Sequence, residues 1–217
     1  MKISDNLKKL KSELPEHVSL VAVSKTKSVQ DILEAYNAGQ RIFGENKIQE
    51  MESKWQEMPK DVEWHMIGHV QRNKVKFMAP FVKLIHAVDS LKLLKEINKE
   101  AKKNERTINC LLQIKIAQEE SKYGMDGNDA IELLDSEAFK NLKNIKIVGL
   151  MGMATFTESK KQISEEFASL KTVFDSLKEK HNLSILSMGM SGDYNLAIDN
   201  GSNMVRIGSA IFGEREY

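Results

Sequence analysis

The chain has 217 residues, enough for one large domain or two small ones with a substantial core. Its 32 Lys and Arg against 31 Asp and Glu leave a formal net charge of +1, which supplies no long-range field for recruiting nucleic acid or an anionic membrane. The single cysteine, Cys110, cannot form an internal disulfide, and no stretch reaches the roughly 18 apolar residues of a bilayer span, so the expected setting is the cytoplasm.

Residues 1–14 form the first predicted element, an amphipathic helix, because Ile3, Leu7, Leu10 and Leu14 recur at steps of four, three and four with lysines opposite. Asp5 and Glu13 argue against a targeting peptide. Val18–Ser24 is a continuous apolar, β-branched run ending on Lys25, the pattern of a strand buried on both faces in a parallel sheet. Ser28 is placed to cap a helix over 29–37, with Gly39 as its stop. A second strand is predicted at 41–44, a helix at 46–57 and a third strand at 63–68. A polar helix carrying Val70, Val75 and Met78 follows and ends at Pro80. The fourth strand, 82–88, leads to a helix capped by Asp89 or Ser90 and carrying Leu91, Leu94, Ile97 and Ala101. The fifth strand is 108–116, with Cys110 in its middle as a buried thiol. A polar loop, a helix over 130–139 and a sixth strand at 145–153 come next. Ile163, Phe167, Leu170, Phe174 and Leu177 mark the strongest helical period in the chain, over 159–181. A seventh strand at 184–190, a short helix at 194–200 and an eighth strand at 204–207 complete the series.

Eight strands alternating with helices, with no repeat and no flexible linker, predict an α/β protein: a single (β/α)8 TIM-like barrel over 1–217 with an extra N-terminal helix. An open doubly wound sheet is the other arrangement considered, but the Gly-x-Gly-x-x-Gly turn of its dinucleotide-binding form follows none of the strands.

A barrel gathers its chemistry at the C-terminal ends of the strands. Those ends carry Lys25, Glu45-Asn46, His69, the 119–124 loop, Met151–Thr155, Ser191-Gly192 and Arg206–Ser209. The turns after strands seven and eight, rich in Gly and Ser, predict a phosphate cradle built from backbone amides. His65 and His69 straddle Gly68 without the helix a zinc pair needs, so no metal site is expected. A lysine at one strand end and a phosphate cradle at two others point to a carbonyl compound bearing a phosphate. Two classes meet that description: a class I aldolase acting on a sugar phosphate, and a protein holding pyridoxal 5'-phosphate through a Schiff base.

The motifs Ala22-Val23-Ser24-Lys25-Thr26, Phe43-Gly44-Glu45-Asn46 and Trp64-His65-x-Ile67-Gly68-His69-x-Gln71-x-Asn73-Lys74 resemble one known family. So do Glu120-Ser121-Lys122-x-Gly124, Met188-Gly189-Met190-Ser191-x-Asp193 and Arg206-Ile207-Gly208. The family is that of the pyridoxal phosphate homeostasis proteins, whose fold, type III among proteins that use this cofactor, is similar to the barrel domain of alanine racemase. The resemblance implies an internal aldimine on Lys25, with Asn46 near the phenolic oxygen and Arg206 facing the pyridine nitrogen. It further implies that Ser191, Gly192, Gly208 and Ser209 hold the phosphate. Lys122 either reaches the phosphate or a second binding position or is a solvated loop lysine. An always-charged arginine opposite the ring nitrogen disfavours its protonation and weakens the ring as an electron sink. The sequence given runs only a short way past strand eight, so the further β domain of a racemase is not expected. The implied role is therefore pyridoxal phosphate homeostasis, as carrier or buffer and not as an enzyme, the alternative being an amino-acid racemase of low activity. Apo-enzymes that need the cofactor are its implied partners, and a monomer is expected.

Overall fold

The computed structural model describes residues 2–119 and 123–214. Eight parallel strands close into a barrel in the order of the chain: β1 (Ser19–Val23), β2 (Ile42–Glu45), β3 (Glu63–Met66), β4 (Leu84–Val88), β5 (Ile108–Gln113), β6 (Ile145–Met151), β7 (Ile185–Ser187) and β8 (Met204–Ile207). Closure comes from β1 lying beside β8 as well as β2, with Ser19 to Ala22 in register with Met204 to Ile207.

Helices cover the outside: α1 (Ile3–Glu13), α2 (Val29–Asn37), α3 (Ile48–Glu57), α4 (Val75–Met78), α5 (Leu91–Lys103), α6 (Gly127–Asp135), α7 (Glu137–Lys140), α8 (Lys160–His181), α9 (Tyr194–Asp199) and α10 (Ser209–Phe212). Local chemistry sets several of their ends. Ser28 accepts from the Asp31 amide while Asp31 returns the bond, a capping box at the start of α2. Ser90 caps α5 and Ser159 caps α8, whose far end turns through a left-handed Asn182.

Two predicted helices differ from the expectation. The segment after β3 is a 3-10 turn, Arg72–Lys74, running into the single turn α4. Residues 127–140 split at Ser136, whose extended backbone ends α6 and whose hydroxyl caps α7. A hydroxyl offering the backbone a competing bond favours such a break over helix continuation. β1, β3, β5, β6 and β7 stop short of their predicted ends, because the apolar runs continue into the loops that build the barrel mouth, whereas β4 and β8 end where predicted and β2 runs one residue further.

Alternation along each strand divides the core in two. Leu20, Ala22, Trp64, Met66, Val205 and Ile207 face the helices, whereas Val21, Leu84, Leu111, Val148 and Met204 fill the barrel. The inward positions also carry buried polar residues, His65, His86, Gln113, Ser187 and Arg206 among them. A register shift in β4 between Ile85 and Val88 lets both His86 and Ala87 serve the interior.

Candidate functional site

A cavity of about 930 Å3 opens at the C-terminal end of the barrel. All seven residues singled out from the sequence border it: Lys25, Asn46, Ser191, Gly192, Arg206, Gly208 and Ser209. They come from four separate strand ends, so only barrel closure brings them together. His69 borders it too, whereas Glu120, Ser121 and Lys122 lie outside the described residues.

Lys25 stands two residues past β1, in a tight turn. The following residue, Thr26, has φ of +66°, a left-handed conformation that a β-branched side chain resists. A buried cluster beneath holds this turn in place. Lys54 of α3 donates to the Ser24 carbonyl, to Glu45 Oε1 and to Glu50 Oε1, each at 2.8 Å. Ser24 Oγ donates to Glu45 Oε1 at 2.6 Å, and the Thr26 amide donates to Glu50 Oε1 at 2.6 Å. Burial pushes the Glu45 carboxyl up from its ordinary value, against the pull of the Lys54 ammonium.

Asn46 follows β2 directly, and its Oδ1 is buried with no hydrogen-bond partner. Beside it, a Cβ on Gly68 would come within 2.4 Å of the Asn46 carbonyl oxygen, so only glycine permits this approach of β2 and β3 loops. On the other side of the Lys25 turn, the turns after β7 and β8 are laced together. The Arg206 amide donates to the Gly189 carbonyl at 3.0 Å, and Gly208 N–H donates to Ser191 Oγ at 3.3 Å. Gly189 enters its turn at φ +99°, and Asp193 Oδ1 accepts from the Met190 amide at 2.6 Å. Lys27 ties the β1 side to this wall by donating to the carbonyls of Phe212 and Glu214.

Arg206 is 4% exposed and turns inward from β8. Its guanidinium donates to Ser187 Oγ at 2.6 Å and to the Gly152 carbonyl at 3.0 Å. Burial lowers it to about 10, with the charge of Asp193 acting in the other direction. The rim across from the phosphate-type turns is aromatic. His69 stacks on Tyr123 with ring centroids 4.5 Å apart, and Phe156 is 96% exposed. Glu166 of α8 accepts from the Thr155 amide and hydroxyl, both at 2.6 Å, and so fixes the loop that carries Phe156. Cys110 lies away from the cavity in the layer beneath the helices, and burial pushes its thiol far up.

The arrangement combines a primary amine, a cationic guanidinium that donates, an amide with an unused buried acceptor, and two turns offering amides and hydroxyls. Turning the Asn46 amide exchanges its oxygen for its nitrogen, so that wall can receive a donor or an acceptor. A flat, phosphorylated carbonyl compound fits that set. The alanine racemase N-terminal domain family model matches residues 1–216. The pyridoxal phosphate homeostasis protein of Helicobacter pylori (strain 26695) is 42% identical over 199 residues, covering 91% of this chain and 88% of its own. The chain belongs to the pyridoxal phosphate homeostasis protein family. The corresponding Aquifex aeolicus protein is 38% identical over 201 residues, covering 91% of this chain and 87% of its own. Among solved structures, PipY of Synechococcus elongatus PCC7942 with PLP bound superimposes with a TM-score of 0.88 at 34% identity, covering 97% of this chain and 100% of that one. An alanine racemase from Clostridium difficile shares the barrel alone: TM-score 0.81, 16% identity, all of this chain but 56% of the racemase.

Sequence reasoning missed the homeostasis family member's supporting residues. Lys54 sits on a helix one turn after Glu50, a spacing that reads as a surface ion pair. His86 and Ser187 lie within apolar runs with no flanking signal, and only the parity of the strand marks them as inward.

Proposed function

We propose that this chain holds pyridoxal 5'-phosphate at Lys25 and works in intracellular cofactor homeostasis as a carrier or buffer, without efficient turnover. What carries the reading is the convergence of Lys25, Asn46, Arg206 and the two Gly- and Ser-bearing turns on one cavity. Pyridoxal phosphate, when bound, supplies an aldehyde that condenses reversibly with a primary amine and releases water. On this reading Lys25 presents that amine, its turn held by Lys54, Glu45 and Glu50. The amides and hydroxyls of Ser191, Gly192, Gly208 and Ser209 bind the phosphate, where small residues let the backbone approach. Asn46 meets the phenolic oxygen, and Arg206 donates to the ring nitrogen. A permanent cation there withholds the proton that strong carbanion stabilisation needs, which favours storage over turnover.

The proposed setting is cytoplasmic and the proposed state monomeric. No described helix is long and apolar enough to cross a membrane, and among the described residues the exposed large apolar side chains are Phe77, Tyr123 and Phe156, the last two of which border the cavity. Apo-enzymes that need the cofactor would be its partners. The test is the visible spectrum of the protein equilibrated with pyridoxal phosphate, followed by borohydride reduction and mapping of the modified peptide. A yellow protein with the label on Lys25, and a colourless Lys25→Ala variant, support the reading; label elsewhere overturns it. Incubation with L-alanine or L-serine tests the carrier role, which fails if the D-enantiomer forms at about 1 per second or faster.

A further inference from the structure

Arg206 is a buried cation that makes no direct ion pair among the described residues, the charge of Asp193 acting on it without a hydrogen bond, an arrangement that ordinarily carries a heavy desolvation penalty. Its side-chain partner, Ser187, is neutral and begins a chain across the barrel interior. Ser187 Oγ lies 3.2 Å from His86 Nδ1, and His86 Nε2 lies 3.0 Å from His65 Nδ1. The two rings are 5.1 Å apart between centroids and tilted by 48°. Burial lowers His65 to about 3 and His86 well below its ordinary value, so both rings are neutral at any physiological pH.

Hydrogen-bond direction follows from chemistry. A guanidinium only donates, so the Ser187 oxygen accepts from Arg206 and its own hydrogen remains for His86 Nδ1. His86 then carries its proton on Nε2 and donates it to His65 Nδ1. One run of donors extends from β8 through β7 and β4 to β3, and no member of it is an anion. A carboxylate in place of Ser187 would aim the guanidinium equally well and cancel its charge.

We propose that Ser187 and His86 are positioning residues that aim Arg206 at the cavity without pairing its positive charge directly, so that the site selects a ligand by a hydrogen-bond acceptor at the ring-nitrogen position. The inference rests on the pyridoxal phosphate reading above and adds to it the residues that set this selectivity.

The test compares dissociation constants, by equilibrium dialysis, for pyridoxal phosphate and its 1-deaza analogue, in which CH replaces the ring nitrogen. Wild type is expected to prefer the natural cofactor by about tenfold or more, the scale of one charge-assisted hydrogen bond. Arg206→Leu should abolish the preference. Ser187→Ala, which removes one oxygen, and His86→Leu should each cut it to a third or less, and Ser187→Thr should restore it. Thermal unfolding of the cofactor-free proteins identifies any variant that does not fold, leaving the other to decide. Equal weakening of both ligands in Ser187→Ala and His86→Leu, or none, would mean that these residues only pack, and overturns the inference while the pyridoxal phosphate reading stands. Failure of wild type to bind either ligand overturns both.

Discussion

His65 and His86 face the barrel interior 3.0 Å apart, and neither ring meets water. Both are held below the ordinary histidine value by burial, His65 at about 3. The unfolded chain takes up protons on them near pH 6.5, whereas the folded chain does not. Their contribution to stability is therefore complete above pH 6.5 and is lost as the pH falls toward the folded values. Each histidine should steepen the acid loss by about 1.4 kcal/mol per pH unit below 6.5. Glu45 acts in the opposite sense, because its carboxyl is raised on folding and its share of stability grows as the pH falls. Urea unfolding of wild type and of His65→Asn at pH 7.5, 6.0 and 5.0 isolates the histidine contribution, and the two stabilities should converge with acid. Parallel pH profiles would show that His65 is charged or solvated in the folded state. The cavity residues themselves were legible in the sequence, since Lys25, Asn46, Ser191 and Arg206 sit at strand ends within recognisable motifs. The histidine chain was not, because its bonds join residues 21 and 101 positions apart, and a lone histidine in an apolar strand carries no sign of its partner.

At the scale of elements, the turn after β1 depends on α3. Lys54 and Glu45 are 5% and 0% exposed, so the ion pair is dry, and the same ammonium holds the carbonyl that precedes Lys25. Replacing one partner of a buried pair strands the other charge, which typically costs about 3–5 kcal/mol. Lys54→Met should therefore lower unfolding stability at pH 7 by that amount in urea titration, with much of the loss recovered in Lys54→Met/Glu45→Leu, where no buried charge remains from that pair. The double variant should still bind pyridoxal phosphate weakly, because the left-handed Thr26 loses the arrangement that fixes Glu50 against its amide. A Lys54→Met protein as stable as wild type would show that solvent reaches the cluster. The positions of α2 and α8 followed from periodicity and caps: α2 begins at its Ser28 box, and α8 spans nearly its whole predicted range. The role of α3 did not follow, because Glu50 and Lys54 show the same spacing as the exposed pair Lys161 and Glu165. Only the tertiary fold decides which pair is buried.

For the whole molecule, closure sets the cooperativity. Each strand buries its inner face only when the ring is complete, and completion requires β1 to reach β8 across almost the full length of the chain. The ends are stapled outside the barrel as well: Leu7 and Leu10 of α1 are buried, and Asn6 Nδ2 donates to the Ile211 carbonyl of α10 at 3.0 Å. A half-barrel would expose both its inward apolar layer and two unpaired strand edges, so partly folded states are penalised by solvent exposure and by lost backbone hydrogen bonds together. Residues 1–217 should accordingly unfold as one domain in a single two-state transition. The calorimetric enthalpy at the midpoint should be about 150 kcal/mol, from about 0.7 kcal/mol per residue, and should equal the van't Hoff value. Far-UV circular dichroism, which reports the helices, and fluorescence of Trp55 on α3 and of the buried Trp64 on β3 should trace one curve in urea. Separated transitions, or helix loss preceding the tryptophan signal, would show that part of the ring survives opening.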